Sequence, residues 1–136
     1  MLRFMLDTNL CIRVLRDRPA GLRERFSRET EALCVSTIVL TELLVGAAKS
    51  NRPTENRREI DRFTARLEVL AFDAAAAAHA ADIRAALERC GQPIGGYDTL
   101  IAGHARSRGL IVVTGNLREF ERVQGLRTED WLGETS

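Results

Sequence analysis

Three carboxylates lie far apart in this chain, each beside an apolar run. Asp7 closes Leu2-Arg3-Phe4-Met5-Leu6, Glu42 lies inside Thr37-Ile38-Val39-Leu40-Thr41-Glu42-Leu43-Leu44, and Asp98 opens Asp98-Thr99-Leu100-Ile101-Ala102. A buried acid is costly unless it is paired or binds a metal, so acids embedded among Leu, Ile, Val and Ala ask for a cation. Mg²⁺ and Mn²⁺ take hard oxygen ligands and keep several waters, which suits few carboxylates plus a substrate phosphate. Two such ions about 4 Å apart can activate water and stabilise a leaving oxygen in phosphodiester cleavage.

Each acid also has a plainer reading. Asp7 and Asp98 suit helix N-caps. Glu42 could face solvent, although its neighbours at i+1, i+2 and i−2 to i−4 are apolar. The conjunction of the three is more specific than any member. A fourth position follows in Thr114-Gly115-Asn116-Leu117-Arg118-Glu119-Phe120. The Thr114 hydroxyl and the Asn116 amide could hydrogen-bond a carboxylate or a water at the metal, and Glu119 offers a further acid. Asn116 also reads as an N-cap, and the two roles are compatible. His79 and His104 do not form HExxH, and a lone helical histidine is more often structural or exposed. The absence of GxxxxGK[ST] and GxGxxG argues against an NTPase or dinucleotide fold.

Positioning these residues falls to an alternating series of elements. Arg3 to Leu6 reads as a strand and Leu10 to Arg16 as a helix stopped near Pro19. Gly21 to Arg28 is a short amphipathic helix, Ala32 to Ser36 a strand, and Thr37 to Ala48 a helix apolar nearly all round. Asn51 to Thr54 marks a turn. Glu55 to Leu67 is a helix with one buried stripe, Glu68 to Phe72 a strand, and Ala74 to Cys90 a helix capped by Asp73 and ended at Gly91. After a loop at Gln92 to Gly96, the pattern predicts a helix over Asp98 to Ser107. Leu110 to Thr114, apolar without alternation, reads as a central strand covered on both faces. Asn116 to Val123 suits a short helix and Leu126 to Thr128 an edge strand. This order predicts an α/β fold with a mostly parallel sheet of four to five strands and helices on both faces. Sites in such sheets form beyond the carboxyl ends of the strands.

The chain of 136 residues suits one domain over residues 1–136. Hydrophobic residues at 45% and charged residues at 29% allow both a core and a polar surface. A net charge of +1 does not announce a nucleic-acid binder. Of the 20 basic residues only Lys49 is not Arg. Arg gives bidentate phosphate contacts, but the scatter of these residues along the chain also fits genomic base composition. Cys11, Cys34 and Cys90 lack CxxC spacing, which argues against a disulfide framework or a zinc knuckle. Cys11 and Cys34 read as small buried thiols. A reducing cytoplasm fits, no signal peptide is visible at the N-terminus, and no apolar run reaches the ~20 residues of a membrane helix.

At these residues the chain resembles PIN-domain ribonucleases, and closely the VapC-type toxins of bacterial toxin–antitoxin pairs. The resemblance runs from Phe4-Met5-Leu6-Asp7-Thr8-Asn9, through Thr41-Glu42-Leu43-Leu44-Val45-Gly46-Ala47 and Ile94-Gly95-Gly96-Tyr97-Asp98-Thr99-Leu100, to Thr114-Gly115-Asn116 and Gly125-Leu126-Arg127-Thr128-Glu129-Asp130-Trp131. It implies a three-layer α/β/α fold, a homodimer, RNA cleavage dependent on Mg²⁺ or Mn²⁺, and inhibition by a cognate VapB antitoxin in a higher assembly. Carried over, the metal-binding acids are Asp7, Asp98 and Glu42. Many relatives have Asp where this chain has Asn116, so one-metal occupancy without substrate is expected, with Glu119 as a compensating acid. Arg13, Arg106 and Arg118 are candidates to grip RNA phosphates. The resemblance leans toward initiator tRNA cut in the anticodon loop. The antitoxin is expected as a disordered tail laid across apolar grooves between helices, with an Arg or Lys reaching the acids.

Two other readings remain open. A DNA nuclease would use the same metal site on another polymer, which digestion of tRNA beside single-stranded DNA separates. A non-catalytic nucleic-acid-binding module predicts missing ligands, whereas the three principal acids are present.

Overall fold

The computed structural model describes residues 1–132; the last four residues of the expected 1–136 domain lie outside the described residues. Among the described residues five strands form one parallel sheet. They are β1 (Phe4–Leu6), β2 (Leu33–Ser36), β3 (Glu68–Leu70), β4 (Ile111–Val113) and β5 (Thr128–Glu129), in the order β3-β2-β1-β4-β5. Every residue of β1 is buried, and β1 pairs with β2 on one side and β4 on the other. β1 therefore takes the centre. β4 lies beside it, with Val112 and Val113 fully buried, as its unbroken apolar run requires. The edges are the short β3, whose Glu68 is exposed, and the two-residue β5.

Seven helices flank the sheet among the described residues: α1 (Thr8–Arg16), α2 (Leu22–Glu29), α3 (Thr37–Ala48), α4 (Pro53–Thr64), α5 (Ala74–Arg89), α6 (Gly96–Arg108) and α7 (Leu117–Phe120). A 3₁₀ turn at Thr30–Ala32 leads into β2. The helix starts follow side-chain chemistry. Asp7 caps α1, Ser36 caps α3 and Asp73 caps α5, each accepting from a backbone N–H two or three residues on. α6 stops at Gly109, in the left-handed region at φ 66°. Between α5 and α6 the contact is backbone-close: a Cβ on Gly103 would lie 2.5 Å from the Ala80 nitrogen. One core cluster joins Met5, Leu6, Leu10, Val35, Val39, Ile101, Val112 and Phe120.

The element order agrees with the sequence reading, and the departures lie at boundaries. α4 begins at Pro53, where a turn was expected, because proline is tolerated in the first turn of a helix. α6 begins at Gly96 behind a Gly95 cap, so Asp98 lies in the first turn and is not the cap. α7 spans only Leu117–Phe120. The edge strand is Thr128–Glu129, one step beyond the expected Leu126 to Thr128, because it pairs with Val112 and Val113.

Candidate active site

The strand order reverses direction between β1 and β4, and ligand sites in such sheets lie at this switch point, beyond the strand ends. Asp7 follows β1 and Thr114 follows β4, so neighbouring strands deliver them side by side. The Thr114 hydroxyl donates to Asp7 Oδ2 at 2.5 Å. The other oxygen, Oδ1, accepts from the Leu10 N–H at 2.8 Å, which is the α1 cap. Asp7 thus caps a helix and faces the site at once. It is only 3% exposed. Burial raises its pKa above the usual carboxylate value, the two hydrogen bonds oppose that rise, and the charge of Glu42 adds to it.

Thr114 Oγ1 also accepts from the Asn116 N–H at 2.7 Å. That turn aims the Asn116 amide at Asp98, with Nδ2 3.4 Å from Asp98 Oδ2. Asn116 occupies the N-cap position of α7 but makes no side-chain cap bond there, so the site contact replaces the capping role. Burial, then the charges of Asp7, Glu119 and Glu42, push Asp98 up to about 6, against the Asn116 hydrogen bond. Glu42, half-buried on α3, accepts a hydrogen bond from the Thr8 hydroxyl.

These side chains meet in one cleft of about 430 Å³ lined by Asp7, Thr8, Asn9, Ile12, Glu42, Asp98, Gly115 and Asn116. Three acids line it and no Lys, Arg or His does. That composition answers whether a divalent cation fits. The donors are all hard oxygens, and burial together with the neighbouring negative charges raises the pKa values of Asp7 and Asp98, as expected where a positive charge belongs. Among the described residues no three or more His, Cys, Asp or Glu side chains are grouped closely enough to hold a metal ion by themselves. An open cleft matches the preference of Mg²⁺ for a few carboxylates completed by water and substrate oxygens.

Other expected residues are placed differently. Glu119 does not line the cleft: its Oε1 accepts from the Gly95 N–H at 3.2 Å, tying α7 to the start of α6, and it reaches the site through its charge on Asp98. Arg13 and Arg118 are exposed outside the cleft lining. Arg106, expected as a phosphate-gripping candidate, is engaged within the fold. Its guanidinium is held by His79 Nδ1 at 2.9 Å, Gln124 O at 2.9 Å and Asp82 Oδ2 at 2.8 Å. It sits near the end of α6 opposite Asp98 and fastens α5 to that end. Thr8, Asn9 and Ile12 were missed; the visible signal was a hydroxyl and an amide directly after Asp7, on the first turn of the helix it caps. A larger apolar groove of about 780 Å³ runs between α5 and the start of α6 past Tyr97 and Thr99. No acid of the site lines it, so size does not mark the chemistry here. Cys11 and Cys34 are buried thiols, with Cys34 pushed up to about 12 by burial.

The switch-point acids on a parallel sheet define a class, and comparison with known proteins identifies it. The PIN domain pattern matches residues 4–126. The chain is 56% identical to the tRNA(fMet)-specific endonuclease VapC of Shigella flexneri, over 96% of this chain and 99% of that protein. It is 48% identical to Ribonuclease VapC2 of Haemophilus influenzae, over 97% of this chain and 100% of that protein. Among solved structures, DNA-bound VapBC from Salmonella typhimurium matches with a TM-score of 0.92 at 55% identity, covering 96% of this chain and 99% of that one. VapBC2 from Rickettsia felis, bound to a promoter DNA fragment, matches with a TM-score of 0.87 at 34% identity, covering 96% and 99%. The chain belongs to the VapC family of PIN-domain proteins.

Proposed function

We propose that this chain is the toxin of a type II toxin–antitoxin pair, a divalent-metal-dependent endoribonuclease acting on initiator tRNA. The observation that carries the reading is the cleft in which Asp7, Glu42 and Asp98 converge without a cationic side chain in its lining. The substrate assignment rests on relatives at 56% and 55% identity, each named a tRNA(fMet)-specific endonuclease. Asp7 and Asp98 would hold the ion, with Glu42 and Asn116 as further candidate ligands from the same cleft. When bound, Mg²⁺ or Mn²⁺ supplies Lewis-acid stabilisation of phosphate charge and lowers the pKa of water. Thr114 fixes the Asp7 carboxylate and opposes the pKa rise that burial causes, Thr8 orients Glu42, and the Asn116 amide steadies Asp98. Arg13 and Arg118, exposed and outside the cleft lining, remain candidates to steer phosphates toward it.

The partner is a VapB-type antitoxin, since the solved relatives are VapBC complexes. A groove of about 410 Å³, whose apolar lining includes Ile12, Leu15, Leu43, Ala47 and Ile60, shares Ile12 and Glu42 with the acid cleft. An apolar tail laid there would bring a basic side chain to the acids. A homodimer is expected, which sedimentation of the purified chain tests. Among the described residues no helix is long and apolar enough to cross a membrane, and a cytoplasmic site of action follows from the tRNA substrate.

The test is digestion of tRNA and of single-stranded DNA, side by side, with Mg²⁺ and with excess EDTA. The reading expects cut initiator tRNA with Mg²⁺ only, intact DNA, and no cutting by a folded Asp7→Ala protein. Full cleavage by Asp7→Ala would refute the site; preferential cutting of DNA would favour the DNA-nuclease reading.

A further inference from the structure

The interior holds one polar pair that the chemistry above does not use. His104 of α6 is fully buried, and its Nδ1 lies 2.8 Å from Ser36 Oγ. Ser36, also fully buried, ends β2 and caps α3 by accepting from the Ile38 N–H at 3.1 Å. The other ring nitrogen, Nε2, has no hydrogen-bond partner among the described residues. The Phe72 ring stands edge-to-face with the imidazole at 5.5 Å. An unpartnered buried nitrogen is a cost that an apolar side chain of similar size would remove. Departures of this kind concentrate where function demands them. The reason for keeping a histidine here therefore lies at Nδ1 and in what it joins.

It joins the two helices that carry the outer acids. Ser36 is the root of α3, which bears Glu42, and His104 is on α6, which bears Asp98. Each acid is six residues from the tie, about 9 Å along its helix at 1.5 Å per residue. α3 and α6 pack against each other, and Gly103, next to His104, seats α6 closely on Ala80 of α5. A shift of the α3 root against α6 would therefore move Glu42 relative to Asp98. We infer that Ser36 and His104 are positioning residues of the acid cleft: their hydrogen bond fixes α3 against α6, and with it the placement of Glu42 relative to Asp98 across the cleft. The functional half of this inference rests on the nuclease reading; the geometric half does not.

The test compares His104→Phe, which keeps a ring and removes the bond, with His104→Asn, whose amide reaches the former Nδ1 position. Carboxyl ¹³C NMR signals of Glu42 and Asp98 are read in the metal-free protein, Mn²⁺ affinity by electron paramagnetic resonance, and tRNA cleavage by kcat and KM. His104→Phe is expected to fold, to displace both carboxyl signals, to weaken Mn²⁺ binding about tenfold, and to lower kcat with KM unchanged. His104→Asn is expected to stay near the parent in all readouts. Unchanged signals and Mn²⁺ affinity in folded His104→Phe, or equal losses in both variants, would overturn the inference. If His104→Phe does not fold, Ser36→Ala against Ser36→Thr carries the same comparison. If the parent neither binds Mn²⁺ nor cuts tRNA, the nuclease reading falls, and the carboxyl signals alone decide the geometric half: displaced signals uphold it and unchanged ones overturn it.

Discussion

Asp7 meets two demands with its two oxygens: Oδ1 caps α1 and Oδ2 receives the Thr114 hydroxyl. Removing that hydroxyl with Thr114→Val leaves a buried oxygen without its partner and raises the Asp7 pKa further. The expected result is a loss of Mn²⁺ affinity of about ten- to a hundredfold in a folded protein, read by titration calorimetry. Asp98 gives a prediction with a definite sign. The unfolded chain titrates this carboxyl near 3.8 and the folded protein near 6. Between those values the folded state holds a proton that the unfolded state has released, so stability of the metal-free protein falls as pH rises through the window. Asp98→Asn should therefore melt above the parent at about pH 7.5 and lose that advantage at about pH 3.5. An equal gap at both pH values would contradict the raised Asp98 pKa that burial and the neighbouring acids produce. The three acids were legible in the sequence because an acid amid apolar residues stands out against the cost of burial. Thr8 was not, since a hydroxyl beside a capping Asp looks like ordinary helix-start chemistry. The engagement of Arg106 by His79, Asp82 and Gln124 was not legible either, because a sequence does not show which distant groups an arginine meets in the fold.

At the scale of elements, α6 matters most, since it carries Asp98 at one end and is pinned by α5 along its length. Gly103 allows that contact. Gly103→Ala would gain helix propensity of about 1 kcal/mol, but the new Cβ would lie 2.5–2.7 Å from backbone and Cβ atoms of Ala80, where the nearest neighbour is not a flexible side-chain end. Overpacking of this kind costs about 1–3 kcal/mol, so the net outcome is destabilisation, seen as a lower midpoint in urea denaturation. A variant as stable as the parent would show that α5 can move away freely. The helices and buried strands were readable from periodicity and caps. Their boundaries were less so, because Gly96 and Pro53 look like breakers while each sits in a first helical turn, where neither breaks the ladder. The extent of β5 depends on its pairing with β4, which no local pattern records.

For the whole molecule, sequence patterns supported a parallel sheet with helices on its faces, but not the order β3-β2-β1-β4-β5 that sets β1 beside β4. That adjacency makes Asp7 and Thr114 neighbours across 107 residues of chain, and it turns separate acids into one cleft. Ion binding should then be linked to global stability. Saturating Mn²⁺ is expected to raise the melting temperature of the parent, by RT ln(1 + [L]/Kd) in free energy, and to leave Asp7→Asn unmoved in a fluorescence melt. The most direct measurement is anomalous X-ray scattering from crystals of the protein soaked in Mn²⁺. A peak at about 2.1 Å from carboxylate oxygens of both Asp7 and Asp98 is the predicted result. Strong Mn²⁺ density elsewhere with none between those two acids would contradict the account.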